Sequence, residues 1–225
     1  MRVSLKIDIV PSPGTNDHEV LLLGNGRDLI RSMDDQMMGL DPDDLLIEPS
    51  PLLVAGPPRL VTIGRCSCGE IGCGSVEAEL SRQDHTVAWA VPDYSQVFTF
   101  DASQYESEIQ RAMADASWET PARTAARLIR STVDRDALAR HGFRFSWSSG
   151  RLRIGKITVS LLLEPGPYQV LVHSPWIRQP ETAAATMCKI LSEPPSAWRD
   201  VEYYPQAQGL GAPRIDAEGW RPGQR

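Results

Sequence analysis

The chain has 225 residues, 41% hydrophobic and 23% charged, a balance that supports a folded core and excludes the low-hydropathy, high-charge regime of disorder. Its formal charge of −6 comes from 29 acidic and 23 basic residues interleaved along the chain, which argues against nucleic acid as a partner, because phosphate binding uses a concentrated basic face. No apolar run approaches the roughly 18 residues that a bilayer span needs, so no membrane partner is expected.

Residues 2–10 set Val3, Leu5, Ile7 and Ile9 against Ser4, Lys6 and Asp8, the period-two pattern of a half-buried strand rather than a signal-peptide core. The protein is therefore expected to stay in the cytoplasm. Residues 19–23 read as a partner strand returning after the Pro11–Gly14 turn, and residues 26–33 as a short helix. Between 41 and 58, Pro42, Pro49, Pro51, Pro57 and Pro58 interrupt any regular element, which predicts a loop packed by Leu45, Leu46, Leu52 and Leu53 and suited to act as a lid or binding loop. Strand signals at 59–64, 75–80, 86–91 and 97–100 then predict an antiparallel meander.

Helices are expected at 103–116 and 121–140, the second capped by Thr120, opened by Pro121 and closed by Gly142, with Ala122, Ala125, Ala126, Ile129 and Val133 as its core stripe. A second strand group follows at 143–147, 151–154, 158–163 and 169–173, then a helix at 180–191. Beyond Glu193 the composition turns to Pro, Gly and polar residues. The expected architecture is α+β, with antiparallel sheets in two strand-rich halves bridged by a helical pair. Residues 1–192 form a single domain or two packed subdomains, about 1–117 and 118–192, with 193–225 an extended or disordered tail.

Three of the four cysteines fall within eight residues, Cys66-Ser-Cys68-Gly-Glu-Ile-Gly-Cys73. A turn with internal glycines lets closely spaced sulfurs converge on one ion, and thiolates bind zinc as a tetrahedron. Cys188, on the predicted last helix, is the expected fourth ligand, with His85, His173 or Glu70 as fallbacks. Four thiolates would make a closed, structural zinc site, whereas water in the fourth position would open the ion to catalysis. Buried inert thiols and thiol-based redox chemistry are the competing readings.

The segment Arg65-Cys-Ser-Cys-Gly-Glu-Ile-Gly-Cys-Gly74 resembles the post-SET zinc motif of lysine methyltransferases over about ten residues. The Asn-His-x-Cys segment of those enzymes is missing, so methyl transfer is not implied. A broader likeness is to an uncharacterised family of bacterial proteins, carried by Cys-x-Cys-Gly-x-x-Gly-Cys, Val87-Ala-Trp89, Phe100-Asp101, Tyr105-Glu106 and Trp118-Glu-Thr-Pro121. It names relatives and implies no activity.

Other constellations are weaker. Gly24-Asn-Gly26 after a strand lacks the third glycine of a dinucleotide loop, since Leu29 stands there. Asp34, Asp35, Asp41, Asp43, Asp44 and Glu48 do not follow EF-hand order and read as a solvated acidic loop. Arg123, Arg127 and Arg130 recur at helical spacing, as on a solvated helix face. Neither a Gly-x-Ser-x-Gly elbow nor a His-Glu-x-x-His helix occurs, and His18, His85, His141 and His173 lie in separate elements. The expected function is a non-enzymatic protein-binding module stabilised by structural zinc; the alternatives are a metal-dependent enzyme with an open zinc position and a thiol-based redox protein.

Overall fold

The computed structural model describes residues 2–12, 18–68, 72–164, 166, 168–207, 209–215 and 219–223, and in it the chain packs as two units, 1–118 and 119–225. Six α-helices and three antiparallel-rich sheets among these residues make the fold α+β. No helix among them is long and apolar enough to cross a membrane.

In the first unit, Leu5 and Ile7 turn inward from β1 (Leu5–Pro11), which pairs antiparallel with β2 (His18–Gly24), followed by β3 (Arg27–Asp28). Asp28 then caps α1 (Leu29–Met33) by accepting from the N–H groups of Ile30 and Arg31. A five-stranded meander follows: β4 (Met37–Gly39), β5 (Arg59–Cys66), β6 (Ser75–Gln83), β7 (Thr86–Val91) and β8 (Gln96–Asp101), with α2 (Pro42–Leu45) between β4 and β5. Two backbone bonds tie the small sheet to both ends of the meander, Val3 N–H to the Thr99 carbonyl at 2.8 Å and Val20 N–H to the Leu40 carbonyl at 2.9 Å. The second approach is so close that a Cβ at Gly39 would lie 1.9 Å from the Val20 oxygen, so only glycine fits.

Asp101 caps α3 (Ala102–Ala114), and this helix lies along β1. Gln104 accepts from the Leu5 N–H at 3.0 Å and donates to its carbonyl at 2.6 Å; Glu108 accepts from the Ile7 N–H at 2.7 Å, and Arg111 donates to the Ile7 carbonyl at 2.5 Å. The hydrogen bonds and charge of Arg111 hold the Glu108 carboxyl below the usual carboxylate range.

Trp89, Phe100 and Tyr105 form the aromatic centre of this unit, with ring centroids 5.1 to 5.9 Å apart. The Tyr105 hydroxyl accepts from the Trp89 indole at 3.0 Å and donates to the Leu52 carbonyl at 2.7 Å. That bond corrects the expectation of a lid at 41–58. Leu45 and Leu52 are fully buried, the Ser50 hydroxyl donates to the Leu45 carbonyl, and Arg59 donates to the carbonyls of Pro51 and Leu53. Pro42 opens the short helix α2, the later prolines keep the rest of the segment irregular, and the interspersed leucines pack it into the core as expected.

The second unit contains α4 (Pro121–Thr132), α5 (Arg135–Arg140), β9 (Phe143–Ser149), β10 (Lys156–Leu163), β11 (Tyr168–Pro175), α6 (Pro180–Ser192), β12 (Val201–Pro205) and β13 (Trp220–Pro222). Its sheet runs in the order β13-β12-β11-β10-β9, antiparallel except for the β12–β13 pair. Ile129, Phe143, Val159, Leu161, Val170, Val172, Met187 and Trp198 fill the core.

Several expectations are corrected here. The 121–140 helix is two helices, because Val133 is extended and Asp134 starts α5 as a cap, accepting from the Ala137 N–H at 2.8 Å. Residues 151–154 form a surface turn rather than a strand: Leu152 and Ile154 alternate with arginines but are exposed. The segment after 192 is not an arm, since Trp198 and Val201 are core residues, Trp198 packs 5.2 Å from Phe143 and stacks on Trp220 at 6.1 Å, and β12 and β13 extend the sheet. Averaged composition hid two short strands. Arg123 is buried and Arg127 pairs with Glu119 at 2.7 Å, so the arginine row of α4 is not a plain solvated face.

Tyr105→Phe keeps the ring and removes only the hydroxyl, leaving the Leu52 carbonyl and the Trp89 indole N–H without that partner. Urea denaturation is expected to show a loss of about 1–3 kcal/mol, with the slope against urea unchanged.

Candidate metal centre

The cysteine cluster is built where β5 and β6 end. Cys66 is the last residue of β5, flanked in the sheet by Met37 of β4, and its N–H donates to the Gly74 carbonyl at 3.0 Å just before β6 begins. The neighbouring Ser67 N–H reaches the Gln36 carbonyl at 2.9 Å, so β4 anchors the turn from one side. A register shift between Thr62 and Gly64 inserts one extra residue into β5, and beyond it Gly64 pairs with Val76 and Arg65 with Ser75. The strand's alternation is thereby reset, and Cys66 falls on the face of Gly64 and the buried Val76.

The sulfurs of Cys66, Cys68 and Cys73 lie within 4.8 Å of one another, a group that can hold a metal ion. None of the four cysteines is in a disulfide. The Cys68 N–H points at Cys66 Sγ at 3.5 Å, which holds the start of the turn against the end of β5. Gly72 has φ of +81°, the left-handed conformation that returns the chain toward Cys73. Three sulfurs at corners of a zinc tetrahedron with Zn–S of ~2.3 Å stand about 3.8 Å apart, a separation within the bound that this group meets. The Cys73 thiol donates to the sulfurs of Cys68 and Cys66, and these bonds, with the negative charge of the neighbouring sulfurs, push it up to about 12. Like charges so close cannot all ionise without a cation, and a bound divalent ion reverses that balance.

Cys66 is half-buried, whereas Cys68 and Cys73 are exposed, so the group sits at the surface of the first unit. Of the other residues expected to ligate, Glu70 lies outside the described residues. His85 occupies the turn after β6, and nine residues of strand, about 30 Å at roughly 3.3 Å per residue, separate that turn from the cysteine end of β6. His85 does not join the cluster. Cys188 is on α6 of the second unit, half-buried, with its sulfur 3.2 Å from Thr132 Oγ1.

His173 belongs to β11 of the second unit, 3% exposed, where its Nδ1 shares a hydrogen bond with Thr158 Oγ1 at 2.9 Å and its Nε2 lies 3.9 Å from Glu202 Oε2. A Thr-His-Glu series suggests nucleophilic chemistry, but Thr158 is fully buried and no substrate reaches its hydroxyl. The adjoining cavity of about 270 Å³, lined by His173, Pro175, Ile190, Arg199 and Asp200, does not alter this, since His173 Nε2 is itself shielded from solvent. Glu202 accepts from Tyr204, Arg153 and Arg221, which outweigh the opposing effect of burial and bring its carboxyl down to about 2. Sequence reasoning missed this network, because Asp200, Glu202, Tyr204 and Arg221 lie in the segment read as a tail.

Burial is the largest influence on His173 and lowers its pKa against the attraction of Asp200 and Glu202, with Lys156 and Arg153 acting in the same direction as burial. The unfolded chain therefore takes up the proton first, and stability is expected to fall as pH drops through about 6.5 toward the lower folded value. Urea titrations between pH 7.5 and about 5 check this, with His173→Gln giving the shallower dependence. In parallel, Cys66→Ser and Cys73→Ser are expected to lose bound metal in elemental analysis of reduced, unchelated protein. Comparison with protein-family models, curated proteins and solved structures gives no match for this chain.

Proposed function

We propose that the chain is a non-enzymatic protein-binding module whose first unit is stabilised by a structural zinc ion on Cys66, Cys68 and Cys73. The observation that carries this reading is the convergence of three sulfurs within 4.8 Å at the end of a β-hairpin. Thiolate donors suit zinc above the harder divalent ions, and a thiolate-rich shell suits structure above Lewis-acid chemistry. The exposure of Cys68 and Cys73 points the same way, because catalysis uses a cleft that excludes water. A metal-fixed turn at the surface presents a preorganised shape, and preorganisation is what lowers the entropic cost of recognition. The cytoplasm fits this reading, since a reducing compartment keeps the thiols available to the ion.

Reconstitution with zinc is expected to give one ion per chain, and hydrogen exchange at the amides of Ser67 and Cys68 is expected to slow by at least tenfold on binding. Unchanged exchange with stoichiometric zinc would remove the structural role. The fourth ligand is read from Cys188→Ser: loss of zinc assigns that corner to Cys188, and retention assigns it to another donor. A photo-crosslinker at Ser67 tests the recognition role, with adduct to a protein partner expected only in the zinc-loaded form.

A further inference from the structure

The three cysteines at the end of β5 differ in reach. Cys66 closes the strand, is half-buried, and is fixed by the bond from its N–H to the Gly74 carbonyl, whereas Cys68 and Cys73 are exposed. All three sulfurs lie within 4.8 Å of one another, and none is in a disulfide. The Cys73 S–H donates to the sulfurs of Cys68 and Cys66, with Cys68 the stronger acceptor, so the two exposed sulfurs already face each other. Cys188 is the contrast: it is half-buried on α6, its sulfur meets Thr132 Oγ1, and the sequence of its unit holds no second cysteine.

The geometry points to Cys68 and Cys73 as a modification site, a thiol pair that a hydroperoxide converts to a disulfide and that thiol reductants restore. The chemistry balances in two steps. The Cys68 thiolate attacks one oxygen of hydrogen peroxide, the O–O bond breaks, hydroxide leaves, and a sulfenic acid stands on Cys68. The Cys73 sulfur then attacks the Cys68 sulfur, the S–S bond forms, and the expelled hydroxyl leaves as water with the Cys73 proton. Two thiols are oxidised and one peroxide is reduced to two waters. Exposure admits the oxidant and leaves both side chains room to close to the ~2.05 Å of an S–S bond. A bridge between Cys66 and Cys68 would span a single residue and strain the disulfide dihedral, which leaves Cys66 outside the pair. This chemistry belongs to the thiols alone and stands apart from the zinc reading; where the three thiolates hold an ion, the same bond takes away two of its ligands.

The test treats the full chain, reduced and metal-free, with hydrogen peroxide, then counts free thiols and digests with a glutamyl endopeptidase. Cleavage after Glu70 parts Cys73 from Cys66 and Cys68. Of the four thiols, two are expected to disappear, the fragments on either side of Glu70 to remain joined, and dithiothreitol to restore all four. Cys68→Ser and Cys73→Ser are each expected to abolish the link, and Cys66→Ser to retain it. Melting temperatures of the metal-free Cys68→Ser and Cys73→Ser chains are expected to be unchanged, because both side chains are exposed. In Cys73→Ser, dimedone is expected to trap the sulfenic acid on Cys68. Four thiols surviving the peroxide, a link that persists in Cys68→Ser, or a disulfide formed only between chains overturns the proposal. Zinc enters none of these readouts, so their failure leaves the metal reading untouched.

Discussion

The first unit depends on how α3 satisfies the outer edge of β1. An edge strand presents a row of unpaired N–H and C=O groups, and here a helix answers them with side chains in place of another strand. The geometry permits it because four residues of helix advance about 6 Å and two residues of strand about 6.6 Å, so Gln104 and Glu108 fall opposite Leu5 and Ile7. Arg111, one turn on, completes the set at the Ile7 carbonyl and neutralises Glu108. Once β1 is fixed in this way, the small sheet can hold both ends of the meander, and the apolar faces of all these elements converge on Trp89 and Tyr105.

Much of this order was legible in the sequence, and the failures have physical causes. Alternation at Leu5 and Ile7, at Val76, Ala78 and Leu80, and at Val87 and Trp89 marked strands because each has one buried face. The break at Val133 was missed because the apolar stripe runs on into α5, although Asp134 carried a capping signal. Met37–Gly39 is too short to show a period, yet it is the strand that flanks Cys66. Leu152 and Ile154 gave a false strand, since alternation reports burial only where a partner layer exists. The cysteine group was legible from spacing alone; its position at a sheet end, and the distance that removes His85, depend on register that spacing does not encode.

Zinc and the sheet have complementary tasks in the proposed arrangement. The meander supplies one rigid wall, with Cys66 and Ser67 bonded to Gly74 and Gln36. Cys68 and Cys73 are exposed, so little apolar burial holds that turn, and a metal there contributes its binding free energy directly to folding. The second unit stabilises its own exposed end differently, by a charge network in which Arg221 bridges Asp200 and Glu202 while Arg153 and Lys156 reach in from the turn. That network makes the C-terminal strands integral to the sheet instead of accessory to it.

The extra residue in β5 gives the cluster a reading frame. Between Thr62 and Gly64 the strand gains one position relative to β6, and everything beyond it changes sides. Loss of a single residue there would restore a regular ladder and turn Cys66 away from the face it shares with Gly64, with all four cysteines still in the chain. Across relatives, the number of residues between Val61 and Cys66 should therefore be held more strictly than their identity. A sequence with every cysteine intact but one residue short in this interval would have kept the alphabet of the site and lost its grammar.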